Sequence, residues 1–166
     1  HINEIASSLY SKAIKAHDIV AFYGDKSIDS ILVFLALSKL GITCLTLDLA
    51  FPNDMIDFVL DDASVDYVIC NKSLPLSTKQ EVFFVNDLRG ASTEHAPTYT
   101  NNFVAWLVYS SGTTGKPKGI NLSSDAIYNS ILSRAKYSGY HPNDKIACNI
   151  YFYWEAFRPL FFGATL

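Results

Sequence analysis

Between Ser110 and Gly119 the chain places four hydroxyls, three glycines and two lysines: Ser110-Ser111-Gly112-Thr113-Thr114-Gly115-Lys116-Pro117-Lys118-Gly119. The whole sequence has eight glycines, so three within this short segment is a concentration that needs a reason. Glycines let backbone N–H groups come close to a ligand, hydroxyls donate hydrogen bonds, and lysines supply positive charge; together these are what a polyphosphate requires. A Walker A loop is excluded, because only Thr113 and Thr114 separate Gly112 from Gly115 and because Lys116 is followed by Pro117 rather than Ser or Thr. Pro117 also stops the loop from running straight into a helix. A Gly/Ser/Thr run is more often a plain turn. The order of hydroxyls, glycines and lysines, placed directly after a buried strand, favours phosphate binding here.

That strand is the apolar run 103–109 (FVAWLVY), and the elements before it must hold it in place. Ile2, Ile5, Ala6, Leu9, Ala13 and Ile14 recur at helical spacing and predict a helix over 2–15. The short run 19–23, ended by Gly24, predicts a buried strand. Asp25 or Ser27 suits the cap of a helix over 27–40, with Gly41 as its left-handed end. The pattern repeats as a strand over 42–47, a helix from Pro52 through Leu60 and a strand over 65–70. A further strand is predicted over 81–85, and 86–102 lacks periodicity and reads as a loop or a possible internal boundary. Beyond the glycine-rich segment come a helix over 124–135, a strand over 145–150 and a helix over 154–162. Alternating strands and helices predict an α/β fold, a mostly parallel sheet flanked by helices in one piece spanning 1–166.

Composition narrows the functional classes. Hydrophobic residues make up 49% of the 166 and charged residues 17%, which excludes disorder and favours a packed interior. Thirteen Lys and Arg against 16 Asp and Glu leave a net charge of -3, without the broad positive field a nucleic acid would need. Cys44, Cys70 and Cys148 form no CxxC pair and sit in apolar runs as small hydrophobes, which predicts a reducing, cytoplasmic setting. The longest apolar run, 31–37, falls well short of the roughly 20 residues that cross a bilayer, so no membrane span is expected. His1, His17, His95 and His141 have no metal-ligand spacing, so no resident metal is expected. The abrupt start at His1 and end at Leu166 predict a piece of a longer protein.

The string YSSGTTGKPKG, Tyr109 through Gly119, resembles the signature phosphate loop of the adenylate-forming, AMP-binding superfamily. That superfamily includes acyl-CoA synthetases, luciferase-like enzymes and the adenylation domains of nonribosomal peptide synthetases. ILVFLALSKLGITCLTLDLAFP resembles the helix, strand and turn found early in peptide-synthetase adenylation domains, and Trp154-Glu155-Ala156-Phe157 with Gly163-Ala164-Thr165-Leu166 resembles their WE-x-F…GATL stretch. The resemblance covers nearly the whole chain and places it in the first half of the family's large N-terminal domain. It implies attack of a carboxylate on the α-phosphate of ATP, giving an acyl-adenylate and pyrophosphate, followed by transfer to a carrier-protein phosphopantetheine or to CoA. By position, Ser110, Ser111, Thr113 and Thr114 would hold the β- and γ-phosphates, Gly112 and Gly115 would let the backbone close on them, and Gly119 belongs to the same binding segment. Lys118 would neutralise charge as pyrophosphate departs, and Lys116 fills a variable slot of lesser weight. Mg²⁺ would arrive with ATP.

One departure bears on the substrate. Peptide-synthetase adenylation domains usually carry an Asp four residues before the Trp, where it grips the substrate's α-amino group; here Ile150 stands there, and no acid lies between Asp144 and Glu155. An ammonium buried without a counter-charge is costly, so an ordinary α-amino acid is disfavoured. Tyr151, Trp154 and Ile150 would line the carboxylate pocket, although an aromatic run is by itself more often core. Ser124 replaces a frequent His and suits a helix cap, and Asp48 suits a backbone brace in its turn. A stand-alone acyl- or aryl-CoA ligase is an alternative, and a non-catalytic nucleotide-binding domain a second.

Overall fold

Short runs rich in β-branched and aromatic residues become the strands, and runs with apolar spacing of 3.6 become the helices. The computed structural model of the chain describes residues 1–75, 78–90, 95–110, 116–147 and 154–166. These form two compact units, His1–Ser123 and Ser124–Leu166.

The first unit runs α1 (Ile2–Ser11), β1 (Ile19–Tyr23), α2 (Ile28–Leu40), β2 (Thr43–Leu47), α3 (Asn53–Asp62), β3 (Tyr67–Cys70), β4 (Glu81–Phe84), a 3₁₀ turn (Val85–Leu88), β5 (Val104–Ser110) and β6 (Lys118–Ser123). Its sheet has the order β4-β3-β1-β2-β5-β6. The first five strands are parallel and β6 lies antiparallel to β5. From β1 the chain moves to β2, then turns back across β1 to β3. Right-handed crossovers convert that reversal into helices on opposite faces of the sheet. Accordingly Ala21, Tyr23, Leu45, Leu47, Val68, Cys70 and Leu107 pack with Ile56, Val59 and Leu60 of α3. Phe22 and Trp106, out of phase with them along their strands, meet the Phe34 ring of α2 at centroid distances of 5.6 and 5.3 Å. The mostly parallel α/β architecture expected from the sequence is the observed one.

Local chemistry sets the element ends. The Ser27 N–H donates to Ser30 Oγ at 3.2 Å, so Ser27 is the cap of α2. Asp25 instead accepts from Asn71 Nδ2 at 2.6 Å and pairs with Lys72 Nζ at 3.1 Å. These contacts, Lys72 foremost, hold its carboxyl below the usual range. Gly41 closes α2 with φ 71°. α1 stops at Ser11 rather than 15, because Lys12 and Ala13 donate to Leu9 and Tyr10 carbonyls and Ala13 turns left-handed at φ 62°. Cys44 and Cys70 are buried, free thiols, and burial pushes Cys70 up to about 11 and Cys44 well above its ordinary value; Cys148 lies outside the described residues. Such thiols behave as small apolar groups at neutral pH.

The segment read as a loop or linker over 86–102 contributes the end of the 3₁₀ turn, buried Leu88 and Ala96, and a 2.7 Å hydrogen bond from the Tyr99 N–H to the Lys39 carbonyl. The described part of it is fastened within the first unit. In the second unit, α4 (Ser124–Ser138) and α5 (Trp154–Phe161) meet through Tyr128 and Phe161 at 5.8 Å, and Arg158 pairs with Glu155. Of the strand expected over 145–150, residues 145–147 show an isolated bridge from Lys145 to Thr165, and 148–150 lie outside the described residues.

Gly41 combines a left-handed φ with a close neighbour. A Cβ there would lie 2.5 Å from the Tyr99 ring, on a residue whose φ already disfavours side chains. Gly41→Ala should destabilise the protein by about 2 kcal/mol or more, summing the left-handed cost and the displaced ring. A melting temperature within a degree of wild type would refute this.

Candidate functional site

β5 delivers the glycine-rich segment to the C-terminal edge of the parallel strands, the edge at which open α/β sheets bind ligands. Ala105, Trp106 and Leu107 are buried, whereas Ser110 at the strand end is exposed. The antiparallel register pairs Leu107 with Asn121, Val108 with Ile120, Tyr109 with Gly119 and Ser110 with Lys118. Ser110 and Lys118 therefore face each other where the two strands open into the loop. Ser111, Gly112, Thr113, Thr114 and Gly115 lie outside the described residues.

β6 was not legible in the sequence. KGINLS offers only Ile120 and Leu122 as apolar residues, too short an alternation to stand out, and its first four residues are exposed. It is a strand because β5 offers it a free edge, and Pro117 sits just before it rather than in the ladder. Lys116 and Lys118 are both exposed, and neither pairs with a carboxylate among the described residues. Two ammonium groups without such partners, Lys118 opposite Ser110 in the ladder and Lys116 two residues earlier, suit a polyanion. Gly119 has a packing reason for lacking a side chain: a Cβ would sit 3.0 Å from Leu107 Cδ1 and 3.4 Å from Tyr109 Cζ.

Two polar arrangements belong to turns after β strands. Asp48 Oδ1 accepts from the Ala50 N–H at 2.9 Å, the backbone brace expected of it. Asn71 accepts from the Asp25 N–H at 3.0 Å and donates to Ser27 Oγ at 2.9 Å, tying the ends of β1 and β3. A contact with no sequence signal joins Tyr109 to Asp62, 47 positions apart, at 2.5 Å. Trp154 opens α5 in the second unit; its side chain, Ile150 and Tyr151 lie outside the described residues. No cluster of His, Cys, Asp and Glu among the described residues could hold a metal ion, and no described helix is long and apolar enough to cross a membrane.

The family model for AMP-binding enzymes matches residues 1–166, and the chain belongs to that family. It is 32% identical over 174 residues to glycine betaine reductase ATRR of Emericella nidulans, covering 99% of this chain and 14% of that protein. It is also 32% identical to tyrocidine synthase 2 of Brevibacillus parabrevis, covering 99% of this chain and 5% of that protein. Among solved structures, o-succinylbenzoate CoA synthetase (MenE) from Bacillus subtilis, in complex with the acyl-adenylate intermediate OSB-AMP, superposes with a TM-score of 0.85 at 22% identity, covering 99% of this chain and 46% of that one. Apo MatB from Rhodopseudomonas palustris gives 0.86 at 23%, covering 99% and 37%. These structural likenesses establish the fold.

Exposed and without carboxylate partners, the two lysines contribute little to folding. Lys116→Ala and Lys118→Ala should each leave stability within about 0.5 kcal/mol of wild type. Thermal unfolding checks this, and a drop of several degrees in either variant would show a packing role.

Proposed function

We propose that the chain is the phosphate-handling part of an enzyme that activates a carboxylic acid with ATP. One carboxylate oxygen attacks the α-phosphorus, the bond to pyrophosphate breaks, and a thiol then attacks the acyl carbon and releases AMP. The supporting observation is the exposed Ser110/Lys118 pair opening a glycine-rich loop at the C-terminal sheet edge, in a chain matched end to end by the AMP-binding family model. On this reading Ser110, Ser111, Thr113 and Thr114 donate to the β- and γ-phosphates, with Gly112 and Gly115 leaving room for the backbone to approach. Lys118 neutralises negative charge that grows on the departing pyrophosphate, and Lys116 adds to the local potential. Mg²⁺ enters with ATP as part of the substrate. Residues 1–166 then form one α/β piece of an adenylation domain.

The acceptor in this reading is a carrier-protein phosphopantetheine, in keeping with the likeness to tyrocidine synthase 2. CoA is the second reading, favoured by Ile150 standing where an amino-binding Asp would be expected. Supplying either acceptor to the adenylated full-length protein and following AMP release separates them.

In the full-length protein, Lys118→Ala and Thr114→Val should each lower ATP–pyrophosphate exchange by about tenfold or more, since each removes a transition-state contact. Unchanged exchange in both would sink the loop assignment. Across a panel of acids, exchange should favour those without an α-ammonium, such as aryl, hydroxy, keto or fatty acids, or an acid whose nitrogen cannot be gripped by a carboxylate through N–H bonds. Glycine betaine, named in the relative ATRR, carries a nitrogen of that kind. If the native acid carries no cationic nitrogen, Ile150→Asp should weaken its activation by placing an unpaired carboxylate beside it. Clear preference for a standard α-amino acid over its deaminated analogue would overturn the substrate class.

A further inference from the structure

Tyr109 immediately precedes the Ser110/Lys118 pair at the mouth of the loop, and its side chain gathers three elements. Its hydroxyl donates to Asp62 Oδ2, at the end of α3, over 2.5 Å. Its ring leans on β6, where a Cβ at Gly119 would lie 3.4 Å from Cζ and 3.5 Å from Oη. It also packs against the core layer that includes Ile56, Val59 and Leu60 of α3. One side chain thus ties the residue before the loop, the strand after it and a helix on the sheet's face.

The hydroxyl is engaged by Asp62, so it is not counted among the phosphate donors. Burial, reinforced by Asp62, holds the phenol well above its ordinary pKa, and it stays a donor at neutral pH. Asp62 is exposed and Tyr109 half-buried, and a hydrogen bond in that setting adds little to global stability. Its effect is therefore on geometry. Donors that stabilise developing charge act within tenths of an ångström, and a loop fixed at its base presents them without reorganisation.

We infer that Tyr109 and Asp62 form a positioning pair that sets the base of the phosphate loop for ATP. This rests on the phosphate-loop reading above and adds two residues that touch neither phosphate nor acid. The Tyr109→Phe variant removes the hydroxyl while keeping the ring on Gly119, and Asp62→Asn removes the charge while keeping the shape.

The test uses the full-length protein with Mg-ATP and the acid that supports the fastest pyrophosphate exchange. In each single variant kcat/KM for ATP should fall about tenfold, KM for the acid should stay within twofold, and the melting temperature should stay within a few degrees. The double variant should be no worse than the weaker single, because both act through one contact. Backbone amides of 105–110 and 118–120 should exchange hydrogen faster in both variants, with the rest of the sheet unchanged. Wild-type ATP parameters in both singles would overturn the inference. So would equal losses for ATP and acid accompanied by a lower melting temperature, which would mark a general prop. If the wild-type protein exchanges with no acid in the panel, the activation reading fails; the pair is then decided by amide exchange and by titration with Mg-ATP, and unchanged protection and affinity in Y109F would overturn it as well.

Discussion

β5 must satisfy two neighbours of opposite direction, and the candidate site depends on that. On one edge it runs parallel to β2 through Cys44–Trp106 and Leu45–Leu107; on the other it runs antiparallel to β6 from Val104 to Ser110. Had the next strand been parallel, a crossover of a dozen or more residues would have had to intervene, returning the chain to the far edge. The change of direction brings both ends of a seven-residue connection to one edge of the sheet, 111–117 by the strand bounds. The base of the loop inherits its position from Ala105, Trp106 and Leu107, which the core holds.

Electrostatics at this edge is local. The chain as a whole is acidic, at -3, so the potential at the loop comes from Lys116 and Lys118 rather than from a basic surface. Charges farther apart than about 8 Å are largely screened at physiological salt, and the overall acidity costs the site little. Some cations elsewhere are matched: Lys72 by Asp25, Lys79 by Asp61 and Arg89 by Asp29. Lys116 and Lys118, on either side of Pro117, have no such carboxylate among the described residues.

Most of the architecture was legible because each parallel strand is a short apolar run and each amphipathic helix repeats at its own period. Gly41 and Ser27 marked the ends of α2 by chemistry that acts within a few residues. What was illegible depends on partners distant in sequence. β6 has only Ile120 and Leu122 as apolar residues, the first exposed and the second half-buried, and is ordered by the edge of β5. Asp25 looked like a cap and proved to be a partner of Asn71, 46 positions away. The loop itself was readable from residue types, whereas Asp62, whose carboxylate reaches Tyr109, was one acid among several in LDDASVD.

The strap around Tyr99 has a bearing on how related chains can differ. Its N–H is held by the Lys39 carbonyl, its hydroxyl meets His17 Nε2 at 2.8 Å, and its ring covers Gly41. All three contacts lie at the edge of the sheet where β2 begins, opposite the edge that carries the loop. The connection from β4 to β5 is thus anchored shortly before β5 starts. Residues gained or lost upstream of Pro97 in a homologue would be absorbed before the anchor, leaving the β5 register, and the reactive edge it serves, in place. Natural length variation should accordingly concentrate between Leu88 and Pro97, and should be rare between Tyr99 and Ser110.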